Sequence, residues 1–268
     1  MSRNFNAAYV DQMINSPWHG CGVFLINLDR SPDRLQLAQL NLANAGVPFQ
    51  RIAGFDASKE DLSQCEIDAS AFRIAHGRLA PRKAEIGVYQ SHLRAISAFI
   101  ESGKEFGIIL EDDAAPELTI TNSVAQLITW RNHWDIVPLF HFHSGGPVTL
   151  QKQEALKLTV HLAHISSAAA YMINRHAAQV LIKNLSLQRA CIDHALFEHW
   201  THGLKLRGIV PMAVHLSEQA HVSTILVEGT EKLPWLLRLP TFASRVQNAL
   251  RIFAYAIKDI VKHKLGSV

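Results

Sequence analysis

The sequence has few cysteines and no long apolar segment at its start, and both absences narrow the class of protein. Among its 268 residues there are three cysteines, an odd number without C-x-x-C spacing. This usage argues against a disulfide framework and a zinc knuckle, and it favours a reducing compartment. Residues 1–19 are polar and lack the apolar run that a signal peptide or membrane anchor requires. We therefore expect a cytoplasmic protein without a spanning segment.

Length and charge distribution predict one large body with a distinct tail. A chain of this length can bury a substantial core in a single α/β domain with an appendage. The formal charge of +3 is modest but uneven, because seven lysines and arginines after residue 231 stand against a single acid. No internal repeat or low-complexity segment is present. We divide the chain into a polar extension (1–20), a folded body (21–230) and a basic tail (231–268).

The first part of the body has the pattern of a β-α-β unit. Residues 23–28 form a short apolar run that is typical of a buried strand. Ser31 and Pro32 then favour the start of a helix, which Gly46 ends. A second strand is predicted over residues 49–52. This opening favours a parallel sheet with helices on its faces.

The rest of the body continues the alternation of strands and helices. Apolar residues three and four apart predict a helix over residues 85–100. Residues 106–110 have the pattern of a central strand and run directly into three acids. Further strands are predicted over residues 135–140, 166–173 and 209–215, and further helices over residues 175–184 and 193–203.

Glu111, Asp112 and Asp113 follow the predicted central strand without a break. Neighbouring carboxylates repel and raise one another's pKa, so a cation is expected nearby. In open α/β sheets ligands bind at the carboxyl ends of the strands, where this triplet would lie. Mg²⁺ and Mn²⁺ are commonly held there by one or two carboxylates together with substrate phosphates. The alternative is a solvated acidic turn, since turns favour aspartate.

Three segments resemble the signatures of glycosyltransferase family 25, the lipooligosaccharide glycosyltransferases related to collagen galactosyltransferases. They are Ile-Asn-Leu-Asp-Arg-Ser-Pro-Asp-Arg (residues 26–34), Glu-Ile-Gly-Val-Tyr-Gln-Ser-His (85–92) and Ile-Leu-Glu-Asp-Asp (109–113). Weaker matches lie within residues 170–178 and 193–211. The resemblance covers about residues 23–225 and leaves out the basic tail.

The resemblance implies a GT-A-like, Rossmann-type, mostly parallel sheet with flanking helices, and a UDP-sugar donor. It also implies inverting transfer of a hexose, galactose being the first choice, to a lipooligosaccharide or other glycan acceptor. Asp113 is the expected direct metal ligand for Mn²⁺ or Mg²⁺, with Asp112 or Glu111 holding the metal's water or the donor ribose. Asn27 and Arg30 are expected at the nucleotide.

Several further side chains are candidates for the chemistry. An inverting enzyme needs a base to take the acceptor proton, and Asp193 is the first candidate, with a helix N-cap as its alternative role. Glu85 and His92 are further catalytic candidates and Ser91 a donor-site candidate, although these helix residues can equally anchor the helix to the sheet. The fifteen histidines show no zinc-binding spacing. His215 is a further candidate for a metal ligand.

Arg34 and the basic tail each leave two interpretations open. Arg34 can pair with donor phosphate or form a surface ion pair with Asp33 or Asp29. In the tail, apolar residues recur every three or four positions from Leu239 onward, as in an amphipathic helix. Such a helix can lie on an anionic membrane, here the inner face of the cytoplasmic membrane, or dock on the body or a second subunit.

Two other functional classes fit the sequence less well than a transferase does. A catalytically inactive module of the same fold, which binds a nucleotide sugar or a glycan, is the alternative that the intact acidic triplet disfavours. Nucleic-acid binding through the basic tail is not expected, because the tail lacks interleaved aromatic residues and a recognisable module.

Overall fold

A computed structural model of the chain describes residues 16–217 and 232–266. The strands are β1 (Cys21–Asn27), β2 (Gln50–Ala53), β3 (Phe106–Glu111), β4 (Ala114–Pro116), β5 (Ile136–Pro138), β6 (Pro147–Gln153), β7 (Leu156–His161), β8 (Ala170–Asn174), β9 (Gly208–Val210) and β10 (Val214–Leu216). The α-helices are α1 (Pro32–Asn44), α2 (Ala69–His76), α3 (Lys83–Glu101), α4 (Ile120–Thr129), α5 (Arg175–Asn184), α6 (Ile192–Phe197), α7 (His199–His202) and α8 (Leu239–Lys264). Alternating strands and helices therefore make up most of the described chain.

A five-stranded sheet with the order β2-β1-β3-β8-β5 lies at the centre. Strand β1 runs parallel to β2 and β3, whereas β8 runs antiparallel to β3 and β5. The central strands β1 and β3 are buried on both faces, as their continuous apolar runs require. Leu42 and Leu127 belong to the core on one face, and Tyr89 and Leu181 belong to the core on the other. The prediction of a mixed α/β fold with a mostly parallel sheet and flanking helices is confirmed.

Several elements differ from the sequence prediction. The strand predicted over residues 209–215 is interrupted at Pro211, and its halves pair with different partners, β9 with β7 and β10 with β4. The helix predicted over residues 193–203 is divided at Glu198 into α6 and α7. The sequence does not predict the β6–β7 hairpin, because β6 is largely polar and partly exposed. Residues 1–15 and 218–231, which include most of the predicted extension and the last part of the predicted body, lie outside the described residues.

The tail is helical, as its periodicity predicts, and one side of it docks on the body. Thr241, Ile252 and Ala256 are the buried residues of α8. Near its carboxyl end Asp259 forms a 2.8 Å ion pair with Arg207, and both side chains are largely buried. Among the described residues no helix is long and apolar enough to cross a membrane.

Candidate active site

The register of the two central strands brings Asn27 to the acidic triplet. Ile26 on β1 lies opposite Glu111 on β3, so the next residues along each strand, Asn27 and Asp112, also face each other. The Asn27 side-chain amide donates hydrogen bonds to Asp112 Oδ2 at 2.7 Å and to the Ser31 carbonyl at 3.1 Å. One buried amide thus joins the β1–α1 turn to the first aspartate.

Arg34 lies in the first turns of α1 and contacts the triplet directly. Its guanidinium forms an ion pair with Asp112, and it lies 3.4 Å from Asp113 Oδ2. This contact differs from the expected surface ion pair, since its partner is neither Asp33 nor Asp29, and the phosphate role of Arg34 stays a prediction. A cation supplied by the chain therefore already neutralises part of the charge of the triplet.

The positive charge of Arg34 does not fully offset burial and the neighbouring carboxylates at Asp113. Burial, followed by the charge of Glu111, raises the pKa of Asp113 to about 7. Burial also raises the pKa of Asp112, against the opposing effect of Arg34. The Oδ1 atom of Asp113 is buried and has no hydrogen-bond partner in the described part of the chain. A buried, unpaired carboxylate oxygen beside two other carboxylates suits a hard divalent cation.

His92 connects the triplet to the core of the sheet. Its Nε2 lies 3.1 Å from Glu111 Oε1, and its Nδ1 lies 3.0 Å from the Tyr171 hydroxyl. Because a carboxylate only accepts, Nε2 donates to Glu111, and in the neutral imidazole Nδ1 then accepts from the hydroxyl. Burial raises the pKa of Tyr171 well above its usual value, so this hydroxyl keeps its proton. The chain of three groups fixes the orientation of Glu111.

Ser91 and Glu85, both predicted at the site, make structural contacts on α3. Ser91 Oγ accepts from the Phe55 backbone at 2.8 Å and donates to the Gly87 carbonyl at 2.7 Å. Glu85 accepts two hydrogen bonds from the Arg78 guanidinium, at 2.7 and 3.1 Å, and one from the Arg82 backbone. Although burial alone would raise the pKa of Glu85, these hydrogen bonds hold it below its usual value. Glu85 therefore fixes the start of α3, and Ser91 joins the middle of the helix to the segment after β2.

Two arginines lie beside the carboxyl ends of β1 and β2. Arg30 donates to Asp56 at 2.7 Å and to Ser58 at 3.0 Å, and its guanidinium is partly exposed. Arg51 donates from Nε to Asn27 Oδ1 at 3.1 Å and also pairs with Asp29. With Arg34 they line this edge of the sheet with positive charge next to the carboxylates. The surroundings suit the phosphates of a nucleotide.

Asp193 lies in the first turn of α6, where Cys191, not Asp193, occupies the N-cap position. Its charge acts on the imidazole of His164, in the segment that leads into β8. The ring centroid of His194 lies 4.9 Å from that of His164 and 5.1 Å from that of His76. Since β8 is antiparallel to β3, its leading segment lies at the carboxyl end of β3. The role of Asp193 as base stays a prediction.

His215 is not brought to the carboxylates. Its Nδ1 lies 2.9 Å from Glu117 Oε1, and both side chains are about half exposed. In the described residues no group of three or more His, Cys, Asp or Glu side chains is arranged to hold a metal ion. Its assignment as a ligand stays a prediction that this contact does not support.

Two contacts of the site were missed by reasoning from sequence. Arg51 stands in an edge strand with an otherwise mixed pattern, and its alignment with Asn27 depends on the parallel pairing of β1 and β2. Tyr171 lies within the weaker match over residues 170–178, which predicts no contact with His92. The sequence offers two signals, the charged Arg51 in one strand and the hydroxyl of Tyr171 in a buried strand. Neither signal identifies the residue that the side chain contacts.

Comparison with known proteins identifies the chain by its family. A family model of sugar-transferring enzymes matches residues 21–196, which is more than half of the chain and includes every element of the site described above. The chain belongs to glycosyltransferase family 25, described as LPS biosynthesis proteins. No curated protein matches. Among solved structures, the chain is similar to the crystal structure of A197 from STIV, with 10% identity, 72% of this chain and 82% of that chain covered, and a TM-score of 0.38.

Proposed function

We propose that the chain transfers a hexose, with galactose as first choice, from a UDP-sugar to a hydroxyl of a lipooligosaccharide or other glycan acceptor, with inversion. The proposal also assigns a GT-A-like fold to the body. The observation that carries it is the environment of Asp113, a buried carboxyl with an unpartnered oxygen at the carboxyl end of β3. Membership of a glycosyltransferase family supports the reaction class.

The residues present fit a divalent cation. Asp113 and Asp112 would hold it, and Mg²⁺ or Mn²⁺ needs only one or two protein carboxylates when substrate phosphates complete its shell. Such a cation would supply positive charge against the departing diphosphate. The small number of protein ligands that this requires is compatible with the absence of a three-ligand cluster among the described residues.

The chain's own residues position the donor and the carboxylates. Asn27 holds Asp112 in place by a hydrogen bond, and His92 does the same for Glu111. Arg30 and Arg34, two of the three arginines at this edge, would bind the nucleotide diphosphate, and each would exchange its carboxylate partner for phosphate in part.

Asp193 is the proposed base. It would accept the proton of the acceptor hydroxyl while the glycosidic carbon passes through an oxocarbenium-like state. Its position in the first turn of α6, near His164 and at the edge that carries the carboxylates, supports this role. Glu85 is better explained as a structural ion-pair partner of Arg78.

The test is sugar transfer and donor hydrolysis with a panel of UDP-, GDP- and CMP-sugars, with Mn²⁺, with Mg²⁺ and with EDTA. Wild-type protein is compared with Asp113→Asn and with the matched control Asp33→Asn, an exposed acid on α1. We expect a metal-dependent turnover of one UDP-sugar that falls at least about 100-fold in Asp113→Asn, because positioned charge at the leaving group contributes on this scale. Asp33→Asn should retain wild-type turnover.

Two outcomes would contradict the proposal. Equal turnover of Asp113→Asn and wild type would exclude the assigned role of Asp113. Binding of a nucleotide sugar without turnover of any donor, in the presence of a panel of glycan acceptors, would favour the non-catalytic binding module instead.

A further inference from the structure

An uncovered apolar stripe runs along α8. Its members are spaced three or four residues apart and therefore lie on one side of the helix. They are Leu239, Phe242, Val246, Leu250, Phe253 and Ile257. The exposed fractions are large for such side chains, 62% for Val246, 66% for Leu250 and 50% for Phe253. A continuous apolar surface of this kind marks an interaction site.

The opposite side of α8 is already occupied by the body. Thr241, Ile252 and Ala256 are buried, and the 2.8 Å ion pair between Asp259 and Arg207 fixes the carboxyl-terminal half. The stripe is therefore not the surface with which α8 docks on its own body. Docking on the body, one of the two interpretations that the sequence left open, therefore uses the side of α8 that carries Thr241, Ile252 and Ala256.

The charges beside the stripe are positive. Arg251, Lys258 and Lys262 are exposed, whereas the single acid of α8, Asp259, is held in its ion pair. Their spacing of seven and four residues places all three on one side of α8, the flank between the apolar stripe and the buried side. An apolar stripe with a cationic flank is complementary to the surface of an anionic lipid bilayer. A second copy of the chain would bring the same cations near one another, which disfavours that occupant.

The segment before α8 extends the apolar surface. Trp235, Leu236 and Leu237 form a short 3₁₀ turn and are each more than half exposed. Tryptophan is favoured at the headgroup level of membranes, where its ring is apolar and its N–H can bond. The apolar surface thus begins before the helix and continues over its length.

The amino end of α8 lies beside the segment that leads into α3, the helix that carries His92. The Leu233 backbone donates to the Gly77 carbonyl at 2.9 Å. The Arg238 side chain packs so closely on Gly77 that a Cβ there would lie 3.0 Å from it. The next residue, Arg78, pairs with Glu85 at the start of α3. We propose that α8 binds in the plane of an anionic membrane surface through this stripe, which brings the candidate active site close to the headgroups.

The test is sedimentation of the full chain with vesicles of phosphatidylcholine containing 30% or no phosphatidylglycerol. We expect binding to the anionic vesicles that Leu250→Glu/Phe253→Glu abolishes. Arg251→Gln/Lys258→Gln/Lys262→Gln should weaken the binding by about 100-fold, on the scale of about fivefold per basic residue. The matched control is Leu40→Glu, which changes an exposed leucine on α1 and should bind as wild type does.

Two measurements distinguish membrane binding by α8 from the proposed transferase activity. They are the molecular mass from size-exclusion chromatography and the turnover of a soluble acceptor. The stripe variant should stay folded, and its turnover of a soluble acceptor should equal that of wild type, whether or not the donor assignment is right. Equal sedimentation with both kinds of vesicle, or none with either, would overturn the inference. A dimer that Leu250→Glu/Phe253→Glu dissociates, with no vesicle binding by wild type, would assign the stripe to a second copy instead.

Discussion

At the scale of single residues, the hydroxyl of Tyr171 determines how His92 meets Glu111. Tyr171 and His92 are both completely buried, and their hydrogen bond of 3.0 Å has no water to replace it. An imidazole that loses this donor keeps its bond to Glu111 but gains freedom to rotate. We infer that Tyr171 is a positioning residue for the acidic triplet.

Tyr171→Phe should therefore reduce both stability and turnover. Loss of one buried hydrogen bond with an unpartnered nitrogen left behind costs about 1–3 kcal/mol of the free energy of unfolding. We expect kcat to fall about tenfold, with little change in KM for the donor, because Glu111 is less well oriented. Urea unfolding and steady-state transfer assays measure the two effects.

Tyr89→Phe is the matched control for this experiment. Tyr89 is also fully buried, and its hydroxyl donates at 3.0 Å to the Leu185 carbonyl, away from the carboxylates. It should lose a similar free energy of unfolding while its kcat stays at the wild-type value. If Tyr171→Phe keeps the wild-type kcat as Tyr89→Phe does, Tyr171 has a purely structural role.

The sequence reveals some of these contacts and not others. That Asn27 lies near the triplet can be predicted, since both end neighbouring parallel strands, and the hydrogen bond to Asp112 agrees with it. The ion pair of Arg34 with the same aspartate cannot be predicted, because it depends on how α1 turns back over the sheet. Long side chains choose their partners by tertiary geometry, which pattern and spacing do not contain.

At the scale of elements, β3 and α3 approach each other through Gly107. A Cβ at this position would lie 2.6 Å from the Phe99 ring, which is closer than packed atoms allow. The contact places the strand that carries the triplet directly against the helix that carries His92. Glycine is required there for the close approach, not for an unusual backbone angle.

Gly107→Ala should destabilise the fold by about 1–3 kcal/mol, the usual cost of an overpacked core. Gly20→Ala is the control, because nothing lies within 4 Å of its Cβ position and its φ of −94° is ordinary. Urea denaturation of both variants measures the difference. An unchanged midpoint for Gly107→Ala would show that Phe99 moves aside without cost.

Elements with continuous apolar runs could be predicted, and those that depend on pairing could not. The apolar residues of β1 and β3 are continuous along each strand, so both faces of each strand have to be buried. Strand β6 is largely polar, and it exists because β7 pairs with it. Pro211 cannot donate to a ladder, so the predicted strand is divided there into β9 and β10. Local pattern fixes buried elements more firmly than exposed ones.

At the scale of the whole molecule, buried histidines link stability to pH. Burial lowers the pKa of His76, His161, His164 and His199 to about 4, from a usual value of 6.5. Between these values the four imidazoles bind more protons in the unfolded chain than in the folded one, and they outnumber Asp113, whose raised pKa acts in the opposite sense. The free energy of unfolding therefore falls as the pH decreases from 6.5 to 4 and is fully retained above 6.5.

We expect urea unfolding midpoints to decrease steadily over this pH range. His164→Gln should flatten the dependence by about 1 kcal/mol or more between pH 6.5 and 4.5, because one lowered pKa is removed. His19→Gln, which changes an exposed histidine, should leave the slope as it is. A slope that is the same in His164→Gln and wild type would exclude burial of this imidazole.

The outer edges of the central sheet are short and partly covered. Beyond β5, the segment 205–207 already hydrogen-bonds to the strand, with Ile136 donating to Lys205 and Arg207 donating to Ile136 at 3.2 and 3.0 Å. The other edge, β2, has four residues and carries the charged Arg51. Neither edge offers a long, flat template for another strand. Copies crowded together on a surface should thus resist amyloid-like polymerisation through this sheet.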